Sequence, residues 1–126
     1  MRRFVISIII LSLIIISAFS LPIYFKKTTL ELTQKIDEIN INIKNNNKQE
    51  AISKTYEFSK FWHDKKNIIT VFVNNDEIDH ITYSISRLVP LLKYNNISEF
   101  SSNLSYIKIL IISIYIDDIP SLSNIF

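Results

Sequence analysis

A chain of 126 residues, 48% of them apolar, has room for one small domain and little more. Fourteen Lys and Arg oppose twelve Asp and Glu, and the excess is Arg2 and Arg3 at the start, so no basic surface is set aside for nucleic acid. Glycine and cysteine are both absent, which removes glycine-rich phosphate loops, thiol chemistry, disulfides and thiolate zinc sites.

Residues 4–23 form an almost unbroken apolar run, opened by Arg2 and Arg3 and closed by Tyr24, Phe25, Lys26 and Lys27. As a helix this run crosses a hydrocarbon core of roughly 30 Å. Each Ile, Leu, Phe or Val favours insertion by about 0.3–0.6 kcal/mol at the centre of a span. The serines at 7, 12, 17 and 20 do not interrupt it, because a helical hydroxyl bonds back to a carbonyl one turn earlier. A second reading treats the run as a signal peptide cut after Ser20, since Ala18 and Ser20 stand at the two positions a signal peptidase reads. The length of the run, continuing through Leu21, Pro22 and Ile23, favours a retained single-span anchor over residues 1–27. The short N-terminal tail places the N-terminus in the cytoplasm and residues 28–126 outside it.

Four helical patterns follow. In the first, residues 28–45, Leu32, Ile36, Ile39 and Ile43 recur at the spacing of a coiled-coil or bundle seam. This helix is expected to continue from the membrane helix, with Pro22 kinking the junction rather than ending it. The second, residues 48–73, opens with a capping box of Asn47 and Glu50 and lines Ala51, Thr55, Phe58, Trp62 and Ile69 on one face. Its β-branched end, residues 68–73, has strand propensity, but no partner strand is evident and a buried helix end is expected.

The third pattern begins near Asn75 or Asp76 and carries the cleanest stripe, Ile78, Ile81, Ile85, Leu88 and Leu92. Asp76, Glu77 and Asp79 stand at its positive end, and Pro90 predicts a kink or an early stop. The fourth opens with a capping box of Asn96 and Glu99 and places Phe100, Leu104, Ile107, Ile111 and Ile114 on one face. The apolar residues 109–116 read as a buried helix, stopped by Asp117, Asp118, Ile119 and Pro120. The fold class expected is all-α: an N-terminal transmembrane helix, then a small antiparallel bundle of about four helices.

Candidate chemistry is sparse. Glu77 and His80 match the E-x-x-H spacing of di-iron bundles, but that site needs two copies and further carboxylates, and one copy stands here. The pair reads as an acidic first turn followed by a surface histidine. His63 and Asp64 are adjacent and do not face each other on a helix. No catalytic set, cofactor site or metal site is therefore expected. The residues singled out for partner binding are Trp62, a residue type enriched at hot spots, and a polar edge of Glu77, Asp79 and Arg87.

The Phe61-Trp62 region, the stretch from Asp76-Glu77-Ile78-Asp79 through Ile85-Ser86-Arg87-Leu88, and the final Asn124-Ile125-Phe126 together resemble an uncharacterised bacterial family catalogued as domain of unknown function 4363. The resemblance covers nearly the whole chain. It implies an N-terminal anchor and a short helical domain of Gram-positive bacteria, and no activity. The family often has a His before the acidic turn, where this chain has Asn75, and that departure weakens any metal reading. The function expected is a non-enzymatic, membrane-anchored interaction or scaffold module of the cell envelope, with a protein partner or a second copy of itself. The alternative is a secreted or tethered binder of a small apolar ligand or lipid, suggested by residues 109–116.

Overall fold

The computed structural model describes residues 1–71 and 73–114 of the chain, with the backbone alone at 21 and 22. Five helices follow one another: α1 (Arg2–Lys44), α2 (Lys48–Ile69), α3 (Asn75–Ser86), α4 (Leu88–Lys93) and α5 (Ile97–Ser113). Among the described residues there is no strand, and the chain is all-α. The expected stop at residues 117–120 and the motif at 124–126 lie outside the described residues.

At 1.5 Å per residue the 43 residues of α1 reach about 65 Å. The apolar run and the first bundle helix are one helix, continuous through Pro22. The Ser7 hydroxyl donates to the Arg3 carbonyl at 2.8 Å, the back-bond that lets a hydroxyl sit in an apolar helix. Only the later part of α1 is packed: Phe25, Thr28, Leu32, Ile36 and Ile39 are buried. The bundle core thus begins at Phe25, within the segment the sequence assigns to the anchor.

The helices run up and down, with α3 and α4 together forming the third leg. Lys48 Nζ donates to Asn95 Oδ1 at 2.6 Å, so the α1–α2 and α4–α5 links lie side by side at one end. Lys108 Nζ on α5 meets Asp37 Oδ1 on α1 at 2.9 Å, partway along the antiparallel pair. At the opposite end Phe25, Leu32, Trp62, Ile69, Ile111 and Ile114 close around a crevice of about 10 Å³, too small for anything larger than a water.

The two links at the far end are built alike. In each, an asparagine takes the left-handed conformation, Asn46 at φ 57° and Asn95 at φ 60°. The N–H of Asn46 donates to the Ile43 carbonyl and that of Asn47 to Asn42; Asn95 and Asn96 do the same to Leu92 and Leu91. This is the Schellman ending, where glycine is the usual left-handed residue. With no glycine in the chain, asparagine takes its place, because its short polar side chain best tolerates that region. The next residue then caps the following helix: Asn47 Oδ1 accepts from Glu50 N and Asn96 Oδ1 from Glu99 N, both at 3.4 Å. Neither box is the reciprocal one expected, and the Asn47 N–H is committed to the Asn42 carbonyl. The Asn96 N–H is already committed to Leu91, so the Glu99 carboxylate takes the Asn96 side-chain amide at 2.9 Å instead.

Two helix boundaries differ from expectation. Helix α2 ends at Ile69, not at residue 73. The Thr70 hydroxyl donates to the Lys66 carbonyl at 2.6 Å, Val71 N bonds the Ile68 carbonyl three residues back, and Asn74 caps α3 by accepting from Asp76 N. The β-branched run is therefore a buried helix end only in part: Ile69 and Val73 are buried, while Ile68 and Val71 face out. The third leg breaks at Arg87, three residues before Pro90. Proline has no N–H for the Ser86 carbonyl, and its ring crowds that carbonyl, so α3 closes at Ser86. Helix α4 restarts with Leu91 N on the Arg87 carbonyl, leaving Pro90 in the first turn, where a missing donor costs nothing. The apolar stripe survives the break, with Ile78, Ile81, Ile85, Leu88 and Leu92 all buried.

Candidate functional site

The end of the bundle nearest the apolar run is its most distinctive part. Helix α1 is long and apolar enough to cross a membrane, and its most apolar stretch has no residue buried against the rest of the molecule. Where that stretch meets the bundle, aromatic and basic side chains interleave. Tyr24 and Phe25 meet edge to face, with centroids 5.5 Å apart at 76°. The Lys65 ammonium sits over both the Tyr24 ring, at 5.6 Å, and the Phe61 ring, at 5.5 Å. Lys35 covers Phe61 at 5.1 Å. Each contact of this kind contributes about 0.5–1 kcal/mol where exposed, and together they tie α2 to the base of α1. Sequence reasoning missed Lys65 and Phe61 as a pair, though their spacing of four on one helix places them as neighbours.

Trp62 is not an exposed anchor. It is 2% exposed, and its indole N–H donates to Thr82 Oγ1 on α3 at 3.0 Å, while the Thr82 hydroxyl donates to the Ile78 carbonyl at 2.8 Å. Its place on the stripe with Phe58 and Ile69 makes it a core residue. The expected polar edge does not assemble either. Arg87 turns toward α5, where its guanidinium donates to Glu99 Oε1 at 2.7 Å. Asp79 is exposed, and with Asp76, His80 and Tyr83 it lines an open depression on α3. Glu77, in the first turn of α3, is half-buried.

His63 and Asp64 are both exposed on α2. Among the described residues no three His, Asp or Glu side chains converge on one point. Residues 109–114 are less buried than expected: Ile111 and Ile114 join the core, but Ile109 is 66% exposed, and residues 115 and 116 lie outside the described residues. Thr28, Ser84 and Asn103 are buried polar residues that escaped the sequence reading. Asn103 sits between Phe100 and Leu104 and its Nδ2 donates to the Ser84 carbonyl at 2.7 Å, beside the Arg87 N–H on the same oxygen. It secures α5 to the break between α3 and α4. An asparagine inside an otherwise apolar stripe was the signal that marked it.

No curated protein and no solved structure matches the chain. The sequence profile of the family described as "Domain of unknown function (DUF4363)" matches residues 19–125, taking in the last turns of the apolar run and every bundle helix, and the chain belongs to that family.

Proposed function

We propose that the chain is a non-enzymatic interaction or scaffold module of a bacterial cell envelope, held to the cell membrane by one span with its N-terminus in the cytoplasm and its bundle outside. The observation that carries this reading is the single continuous α1, apolar and uncovered over its first part and built into a closed core over its second. Such a helix holds the bundle close to the bilayer surface, which suits a part that positions or recruits another protein or a second copy of itself. The faces available to a partner carry exposed Tyr83, Tyr94 and Tyr106, amphipathic side chains that favour contact surfaces. The filled core, with its crevice of about 10 Å³, gives no support to the small-ligand reading.

The chain has no cysteine, so Tyr94→Cys offers one thiol at the far end of the bundle. A membrane-impermeant maleimide is expected to label it in intact cells; labelling only after lysis would overturn the orientation. A photo-crosslinking amino acid at Tyr83 or Tyr106 should give a discrete, reproducible adduct in cells. Its absence at both positions would count against the scaffold role.

A further inference from the structure

The last turn of α2 and the residue two past its end carry two large apolar side chains that the bundle does not cover, Ile68 at 44% and Val71 at 76% exposed. Their neighbours Ile69 and Val73 are buried, so the backbone here is pinned to the core while the side chains of Ile68 and Val71 stand outside it. Ile69 on α2 lines the same crevice as Phe25, which sets the height of α2 against α1. The two helices are antiparallel, so Ile68 lies level with Tyr24 and Phe25, and Val71 about 3 Å further toward the start of α1. That is the end of the apolar run, where a spanning helix leaves the hydrocarbon. Lys26 and Lys27 on α1 and Lys65 and Lys66 on α2 stand just above.

We propose that the end of α2 is a second membrane contact, with Ile68 and Val71 entering the headgroup layer beside α1 and Lys65 and Lys66 meeting lipid phosphates. This rests on the proposed function, since it requires α1 to be inserted. The occupant is the bilayer, because the bare surface is continuous with the helix that enters it and basic side chains rim it. Asp64 and Asp76 lie at the same end, so apolar insertion rather than net charge drives the contact, and it is expected to persist on zwitterionic lipid. Two contacts at one end fix the tilt of the bundle as well as its height, which a lone helix through the membrane leaves free.

The test uses the full chain in phosphatidylcholine nanodiscs, with a single environment-sensitive label on Val71→Cys, on Ile10→Cys within the run, or on Tyr94→Cys at the far end. At 71 the label should shift its emission to the blue and lose intensity to headgroup nitroxide lipids, while at 94, about 30 Å along α1 from Tyr24, it should do neither. Emission at 71 matching that at 94, with the label at 10 quenched, would overturn the contact and leave the anchor standing. Absence of quenching at 10 as well would overturn both readings. Adding Ile68→Asp to the Val71→Cys chain should abolish the response at 71 without changing that at 10; an unchanged response at 71 would overturn the assignment of Ile68.

Discussion

Trp62 is the only tryptophan in the chain, and its replacement by alanine separates a core role from a surface one. A buried aromatic side chain removes about 150–250 Å² from water, and at about 25 cal/mol per Å² this corresponds to about 4–6 kcal/mol. Truncations of this type in protein cores cost about 3–5 kcal/mol. The bundle as a whole is expected to hold about 5–15 kcal/mol, so Trp62→Ala removes a large share. At roughly 4–8 °C per kcal/mol for a domain of this size, the melting temperature should fall by more than about 12 °C. Trp62→Phe keeps most of the packing and leaves the Thr82 hydroxyl still donating to the Ile78 carbonyl, so its loss should be only about 1–2 kcal/mol. The assay is thermal unfolding of the full chain in detergent by far-UV circular dichroism. Iodide quenching of the native Trp62 emission reports its burial independently. A melting temperature for Trp62→Ala within two or three degrees of the parent, or free quenching by iodide, would refute the core assignment.

Three further expectations follow from single contacts. Asn103→Ala should cost about 0.5–1.5 kcal/mol in chemical denaturation, because the Ser84 carbonyl loses one of its two donors and keeps the Arg87 N–H; Asn103→Leu should fail to restore it, and full recovery with leucine would show that Asn103 only fills space. Asn46→Gly should leave the midpoint nearly unchanged, whereas Asn46→Val should lose about 1–2 kcal/mol at the left-handed φ of 57°; equal stability of the two would contradict the turn geometry. Arg87→Ala should cost no more than about 1 kcal/mol, since the pair with Glu99 is 40% and 50% exposed, and the difference should shrink in high salt; a larger, salt-independent loss would mean the pair has a structural role beyond its charge.

Much of this protein was legible in its residues. The helix period places Ile36, Phe58, Ile81, Leu104 and their partners on buried faces, since a helix of small size has only one place to put a continuous apolar stripe. Runs of asparagine with glutamate three residues on mark the helix starts, because the chemistry of an unpaired N–H is local. The apolar run from residue 4 to 23 is long enough and apolar enough, read alone, to cross a hydrocarbon core. The tertiary structure decided what depends on residues distant in sequence. A tryptophan at helical spacing reads alike as core or anchor until Thr82 on another helix is seen to take its N–H. Arg87 reads as part of a polar edge with Glu77 and Asp79, yet its ion pair is with Glu99 on α5, a contact between helices that its own helix does not encode. The height of Ile68 and Val71 against α1 follows from antiparallel packing that brings Ile69 beside Phe25, a relation between helices that no local pattern encodes.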